Sequence, residues 1–204
     1  PFTGRPQDRG ELEDCWRPNL EDLSLHILDI VENAIAAKAR RIEVSVVEEP
    51  GEDRLTIEIK DDGFGMDEEV RQRAVDPFFT TRTSRRVGLG LSLLAQAARE
   101  AGGKLEIDSR PGDGTKVKAT FQYGHIDRKP VGSMAETMAM LFLGNPDIDF
   151  HYTHVKGERS YTLKSEWMRE KYHDQTSVAP ETIRWLKNHL QEGLAGIGVN
   201  PVRK

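Results

Sequence analysis

Four polar residues near the start of the chain, Asp22, His26, Asp29 and Asn33, are separated by four, three and four positions. On a helix that spacing aligns them in one row. The amide oxygen of Asn33 can ligate a hard cation such as magnesium, and the carboxylate of Asp29, one turn away, can orient or deprotonate a water. A solvated helix edge would carry the same row. A second group is the run Asp61-Asp62-Gly63-Phe64-Gly65-Met66. Its glycines let backbone approach a ligand, and an aspartate there can accept a hydrogen bond from an adenine amino group. A tight turn uses the same residue types. The third is the polar stretch Asp76–Val87, with Thr80, Thr81, Arg82, Arg85 and Arg86, leading into Gly88-Leu89-Gly90-Leu91. A glycine-rich helix entry offers backbone N–H groups and a positive helix end to phosphates, and hydroxyls and guanidiniums add donors above it. A surface loop with a hinge has a similar composition.

The elements that must position these groups follow from hydrophobic period. Leu23, Ile27, Ile30, Val31, Ala34 and Ile35 make one apolar helical face over Asp22–Arg40. Ile42, Val44 and Val46 alternate with polar residues, as do Leu55, Ile57 and Ile59 beyond a Pro50-Gly51-Glu52-Asp53 turn, which predicts a hairpin running into Asp61. Asp67 can cap a short helix reaching about Ala74. A helix over Leu89–Ala101 stops at Gly102-Gly103, and strands around Leu105–Ile107 and Val117–Phe121 flank Pro111-Gly112-Asp113-Gly114. Helices segregated from mostly antiparallel strands imply an α/β sandwich of two layers, its mixed sheet covered by helices on one face. Further on come a Met-rich helix ending at Gly144-Asn145-Pro146, a second hairpin around Lys156-Gly157-Glu158, and a final helix from Pro180 with Ile183, Leu186, Leu190 and Leu194 on one face. The methionines suit either a core or a partner-binding face, and Trp167 and Trp185 either a partner or a small second core. The expected organisation is an arm over 1–21, a nucleotide-type domain over 22–124, and an α+β extension over 125–204.

Composition removes several classes of function. With 29 Lys+Arg against 34 Asp+Glu the formal charge is −5, and a general nucleic-acid binder would need a basic face. The longest apolar stretches, near Met138–Leu143 and Val87–Ala98, are far too short for a bilayer span, and residues 1–21 show no secretory h-region. Cys15 is the only cysteine, so no internal disulfide forms. His151 and His154, three apart on an expected strand, point to opposite faces and make no zinc pair. A cytoplasmic location is expected. Nothing fits a P-loop, and Gly88-Leu89-Gly90 lacks the third glycine of the dinucleotide fingerprint.

Taken in order, these blocks resemble the GHKL superfamily of ATP-binding domains, which includes DNA gyrase, the heat-shock chaperone ATPase, sensor histidine kinases and MutL-type repair proteins. Asp29-Ile30-Val31-Glu32-Asn33-Ala34 resembles the N box, continuing in a MutL-like Ala37-Lys38-Ala39-Arg40-Arg41-Ile42. Asp61-Asp62-Gly63-Phe64-Gly65-Met66 resembles the first glycine box, Asp76-Pro77-Phe78-Phe79-Thr80-Thr81 the F box, and Gly88-Leu89-Gly90-Leu91 the second glycine box. The last two, with Gly112-Asp113-Gly114-Thr115, look like histidine kinases, and the resemblance covers about 22–122. It implies a Bergerat-type fold that binds ATP with Mg2+. Asn33 would hold the magnesium, Asp61 would read adenine, Gly63 and Gly65 would shape that pocket, and Thr80–Gly90 would close over the phosphates. Met66, Phe79, Thr80, Thr81, Arg82, Gly88, Leu89, Gly90 and Thr115 complete the implied nucleotide site. Asp29, or Glu32 in its place, would be the catalytic base. Asp29 stands where hydrolysing members carry Glu and histidine kinases usually carry Asn; Arg86 replaces the first glycine of the second box, and Ala36 replaces a residue basic in many kinases.

Twenty-one residues precede the Asp22 helix, fewer than a phosphoacceptor hairpin needs. The expectation is therefore a regulatory protein kinase acting in trans on a partner protein, as anti-sigma-factor kinases do, with homodimerisation open. A conformational ATPase of the gyrase or MutL type and a nucleotide-sensing interaction protein without turnover are the alternatives.

Overall fold

Residues Leu23–Ala36 form the first helix, α1, capped by Asp22, whose carboxylate accepts from the Leu25 N–H and the Ser24 hydroxyl. Leu23, Ile27, Ile30, Val31 and Ala34 are buried, as the helical period requires. The helix ends four residues before the expected Arg40. Its last turn closes with the Ala39 N–H on the Ala34 carbonyl and the Lys38 N–H on the Ile35 carbonyl, Lys38 standing in the left-handed region at φ 62°. This is the Schellman arrangement, which normally places glycine where Lys38 stands. Without that glycine the stop carried no mark in the sequence.

The computed structural model describes residues 22–76, 89–167 and 180–199. After α1 come β1 (Arg41–Glu49), β2 (Arg54–Asp61), α2 (Glu68–Arg73), α3 (Leu89–Glu100), β3 (Lys104–Arg110), β4 (Gly114–Gln122), α4 (Met134–Gly144), β5 (Asp149–Lys156), β6 (Arg159–Lys164) and α5 (Pro180–Gly196). The strands form one six-stranded sheet in the order β3-β4-β2-β1-β5-β6. All neighbours are antiparallel except β1 and β5, which run parallel. The second hairpin thus extends the same sheet that holds the candidate site. Its alternation was visible in the sequence, but the strand it pairs with lies a hundred residues away and left no local trace.

Register stacks the inward side chains into rows beneath the helices. Ile107, Val117, Ile59, Val44, Tyr152 and Leu163 make one row, and Leu105, Ala119, Ile57, Val46, His154 and Tyr161 the next. These meet α1, α3, α4 and α5 in a single hydrophobic core. Met134 and Met138 of α4 are fully buried in it, which decides for the core reading of those two, while Met140 is half-exposed. On α5 the buried residues are Thr182, Leu186, Leu190 and Leu194, with Thr182 in the place expected for Ile183. Trp167 and Trp185 stack at 4.6 Å, and His189 stacks on Trp185 at 4.9 Å. The opposite face of the sheet is polar and carries cross-strand pairs such as Glu58 with Lys116.

Where β1 and β5 run side by side, the two inward rows end in a buried polar cluster. His154 is wholly buried and bonds the Glu48 carboxylate through Nε2 at 2.9 Å and the Tyr152 hydroxyl through Nδ1 at 2.8 Å. The Tyr123 hydroxyl donates to Glu48 at 3.0 Å, and Lys156 Nζ lies 3.5 Å from the same carboxylate. Burial pushes the Glu48 carboxyl up, but the His154 hydrogen bond, the Lys156 charge and the Tyr123 hydroxyl together hold it below its usual range.

Candidate functional site

At the opposite end of the sheet the inward row reads Ser109, Thr115, Asp61, Ile42 and Phe150. Three polar residues here occupy the phase that Ile59, Val117 and Ile107 hold one step further in. Asp61 is 8% exposed, and its carboxylate accepts the Gly63 N–H at 2.8 Å. Burial raises its pKa, against the pull of the Gly63 and Thr115 backbone amides, and the neighbouring Asp62 charge raises it further. A buried, acceptor-only carboxylate at a strand end is costly unless something donates to it.

The adjacent Asp62 has a different task. It is exposed, and it accepts the Arg40 and Arg41 N–H groups at 2.7 and 2.8 Å, turning the chain from α1 into β1. The two carboxylates that sequence could not separate by type are separated by strand phase.

The glycines divide similarly. A Cβ on Gly63 would stand 2.8 Å from Asp61 Oδ1 and 2.7 Å from the Ala37 carbonyl, so its absence leaves room against the carboxylate and lets the loop lie on the end of α1. Gly65 has φ 68° and faces the Arg110 carbonyl so closely that any Cβ would collide with it. Gly65 is therefore required by backbone packing. The loop is fastened to the β3–β4 turn by the Gly112 N–H on the Phe64 carbonyl at 2.9 Å.

Sequence reasoning missed Ser109. It is 9% exposed, and its hydroxyl bonds the Met66 N–H at 2.8 Å, the Gly114 carbonyl at 2.9 Å and the Thr115 hydroxyl at 2.9 Å. The available signal was phase: Ser109 continues the inward set of Leu105 and Ile107.

On α1, Asp29, Glu32 and Asn33 are half-buried, while His26 is 5% exposed with its Nε2 unpartnered. Burial and the Lys129 charge hold the His26 pKa below its ordinary value, Asp22 opposing them. The polar row thus splits: Asp22 caps, His26 is interior, and Asp29 lies against α3. A Cβ on Gly90 would come 2.9 Å from Asp29 Cβ, so the first turn of α3 closes directly on Asp29. In this structure Gly90 serves helix–helix approach. Thr115 is half-buried beside Asp61, and Met66 is half-buried with its amide held by Ser109. The expected site residues Phe79, Thr80, Thr81, Arg82 and Gly88, with Arg85, Arg86 and the Leu89 side chain, lie outside the described residues. Among the described residues no group of three His, Cys, Asp or Glu side chains could hold a metal on its own, and no helix is long and apolar enough to cross a membrane.

Against known proteins, a family model described as histidine kinase-, DNA gyrase B-, and HSP90-like ATPase matches residues 19–125. A sensor protein of Shewanella frigidimarina is 30% identical over 115 residues, which is 55% of this chain and 18% of that protein. Sensor histidine kinase YxdK of Bacillus subtilis is 34% identical over 106 residues, covering 48% of this chain and 32% of the relative. The chain therefore spans less than a third of either relative. Among solved structures, the N-terminal domain of a DNA repair protein aligns with a TM-score of 0.50 at 17% identity, covering 71% of this chain and 52% of that one. That likeness concerns the fold.

Proposed function

From the membership of this chain in the histidine kinase-, DNA gyrase B-, and HSP90-like ATPase family, we propose that it binds ATP at the Asp61 end of the sheet and passes the terminal phosphoryl group to a partner protein in trans. The observation that carries the reading is Asp61: a carboxylate 8% exposed, held by the Gly63 N–H at 2.8 Å, with the missing Gly63 Cβ leaving space beside it. An adenine amino group is the donor that such a site lacks.

The residues also fit a magnesium ion held jointly with a nucleotide. The described residues make no cage of their own, and magnesium usually keeps one or two protein oxygens plus substrate phosphates. Asn33 would supply its amide oxygen, and the ion, when bound, would neutralise charge on the phosphates. Asp61 would bind and orient the base; the first turn of α3, packed on Asp29, would offer its free N–H groups to the phosphates. Phosphoryl transfer demands mainly this kind of positioning and charge stabilisation. The sensor-kinase relatives support the kinase reading. An acidic residue at position 29 favours a second reading, a conformational ATPase with Asp29 or Glu32 as the base. Asp29→Asn and Glu32→Gln, made separately, distinguish the two: under the second reading replacing whichever is the base abolishes hydrolysis, while under the first both variants still transfer the phosphoryl group.

The test is titration calorimetry of magnesium-ATP on the wild type and Asp61→Asn. The carboxylate accepts from the Gly63 N–H and would accept from the ligand; an amide has one acceptor oxygen and must meet a donor with a donor on one side. A lost charge-assisted bond of about 1.5–3 kcal/mol corresponds to about ten- to 150-fold weaker binding. Equal affinity in the two proteins would overturn the adenine role of Asp61.

A further inference from the structure

Ser109 is a junction whose hydrogen bonds can be counted. A serine hydroxyl has one proton to give and two lone pairs to receive with. The Gly114 carbonyl can only accept, so the Ser109 proton goes to it, at 2.9 Å. The Met66 N–H can only donate, and it fills one lone pair at 2.8 Å. The remaining contact, with Thr115 Oγ1 at 2.9 Å, is then settled: Thr115 donates, and its single proton is committed to Ser109.

The consequence appears one strand over. Thr115 pairs in register with Asp61, the two side chains share the inward face, and Thr115 is only half-buried. With its proton turned toward Ser109, Thr115 offers lone pairs only, beside a carboxylate that also offers only lone pairs. The end of the sheet is a double-acceptor edge. We propose that Ser109 is the positioning residue that sets this polarity, locking Thr115 as an acceptor so that the site selects a purine bearing a 6-amino group, with two N–H donors, over one bearing a 6-oxo group. This rests on the nucleotide reading above.

Removing Ser109 frees the Thr115 proton, which can then turn outward and donate to a 6-oxo oxygen. The experiment is calorimetric titration with magnesium-ATP and magnesium-inosine triphosphate, which differ in the 6-substituent and in the N1 proton that the 6-oxo base carries, so that the 6-oxo base brings one N–H donor and one carbonyl acceptor where the 6-amino group brings two N–H donors. The proteins are the wild type, Ser109→Ala, the near-isosteric Thr115→Val, and the double variant. Wild type should prefer ATP, and Ser109→Ala should lower the ATP-to-inosine preference about tenfold, the worth of one hydrogen bond. In the Thr115→Val background, Ser109→Ala should leave the preference unchanged, because Ser109 acts through Thr115. Loosening of the loop alone would weaken both nucleotides by one factor and leave their ratio intact, which would overturn the proposal. So would equal affinity of the wild type for the two nucleotides, or a change of ratio on Ser109→Ala that persists without the Thr115 hydroxyl. A wild type that binds neither nucleotide refutes the nucleotide reading itself, an outcome distinct from ATP binding with an insensitive ratio. Should Ser109→Ala not fold, Thr115→Val alone decides: ATP weakened while inosine triphosphate is not supports the acceptor assignment, and parallel weakening overturns it.

Discussion

The pair Glu48–His154 ties the last two strands to the rest of the sheet, and replacing His154 by Leu measures how firmly. Leu approximates the ring in bulk, so the loss is chiefly polar. Glu48 is 5% exposed and would keep the Tyr123 hydroxyl at 3.0 Å and Lys156 at 3.5 Å, but lose its partner at 2.9 Å. Breaking a buried pair costs about 3–5 kcal/mol when nothing else compensates, so the low end applies here. The fully buried Tyr152 hydroxyl also loses its hydrogen-bond partner, at about 1–3 kcal/mol. His154→Leu should therefore destabilise the protein by about 4 kcal/mol, a large part of the roughly 5–15 kcal/mol available to a domain. Urea unfolding followed by far-ultraviolet circular dichroism reads this directly. In Glu48→Leu/His154→Leu the uncompensated charge is gone, and about 2 kcal/mol should return. A loss under about 1 kcal/mol in the single variant, or no recovery in the double, would refute the reasoning. The pH dependence has a definite sign. A carboxyl held below its unfolded value of 4.5 contributes stability that is present above that value and is lost as pH falls through its folded value. The Glu48 contribution should thus disappear on acidification below about pH 4.5, and the double variant should lack it.

Two further predictions concern α1. Lys38 occupies the left-handed position that Gly102 and Gly198 fill at the ends of α3 and α5, where the same two carbonyl bonds close the helix. Lys38→Gly should raise unfolding free energy by about 0.5–1 kcal/mol, and an unchanged or lower midpoint would contradict the strain argument. Asp53, also left-handed at φ 50°, should not gain from glycine, because its carboxylate accepts from Gln122 and Gly124. His26 has a pKa lowered from 6.5 with its Nε2 unpartnered, so its neutral form is the one the fold accepts. Its contribution is intact above pH 6.5 and lost as pH falls through the folded value. The stability advantage of His26→Leu over the wild type should therefore widen from pH 7.5 toward pH 5, whereas a constant difference would exclude a titrating His26.

Local chemistry determined much of this protein in advance. Hydrophobic period placed α1, the β1–β2 and β3–β4 hairpins, α3 and α5, because burial on one face imposes a repeat that a short stretch of chain displays. The candidate site residues Asp61 and Thr115 were marked by the resemblance of their motifs, and a polar residue closing an apolar alternation marks Asp61, Ser109 and Glu48 alike. What those marks meant was decided only by register. Strand phase sends Asp61 inward and leaves Asp62 to hold the α1–β1 turn; pairing of three strands brings Ser109, Thr115 and Asp61 into one row; and parallel pairing across a hundred residues joins His154 to Glu48. Such contacts depend on which segments meet, and chain-distant partners leave no periodic signal in either segment. The same holds for Gly65 and Gly90, whose type suggested ligand approach but whose missing Cβ atoms make room for the Arg110 carbonyl and for Asp29.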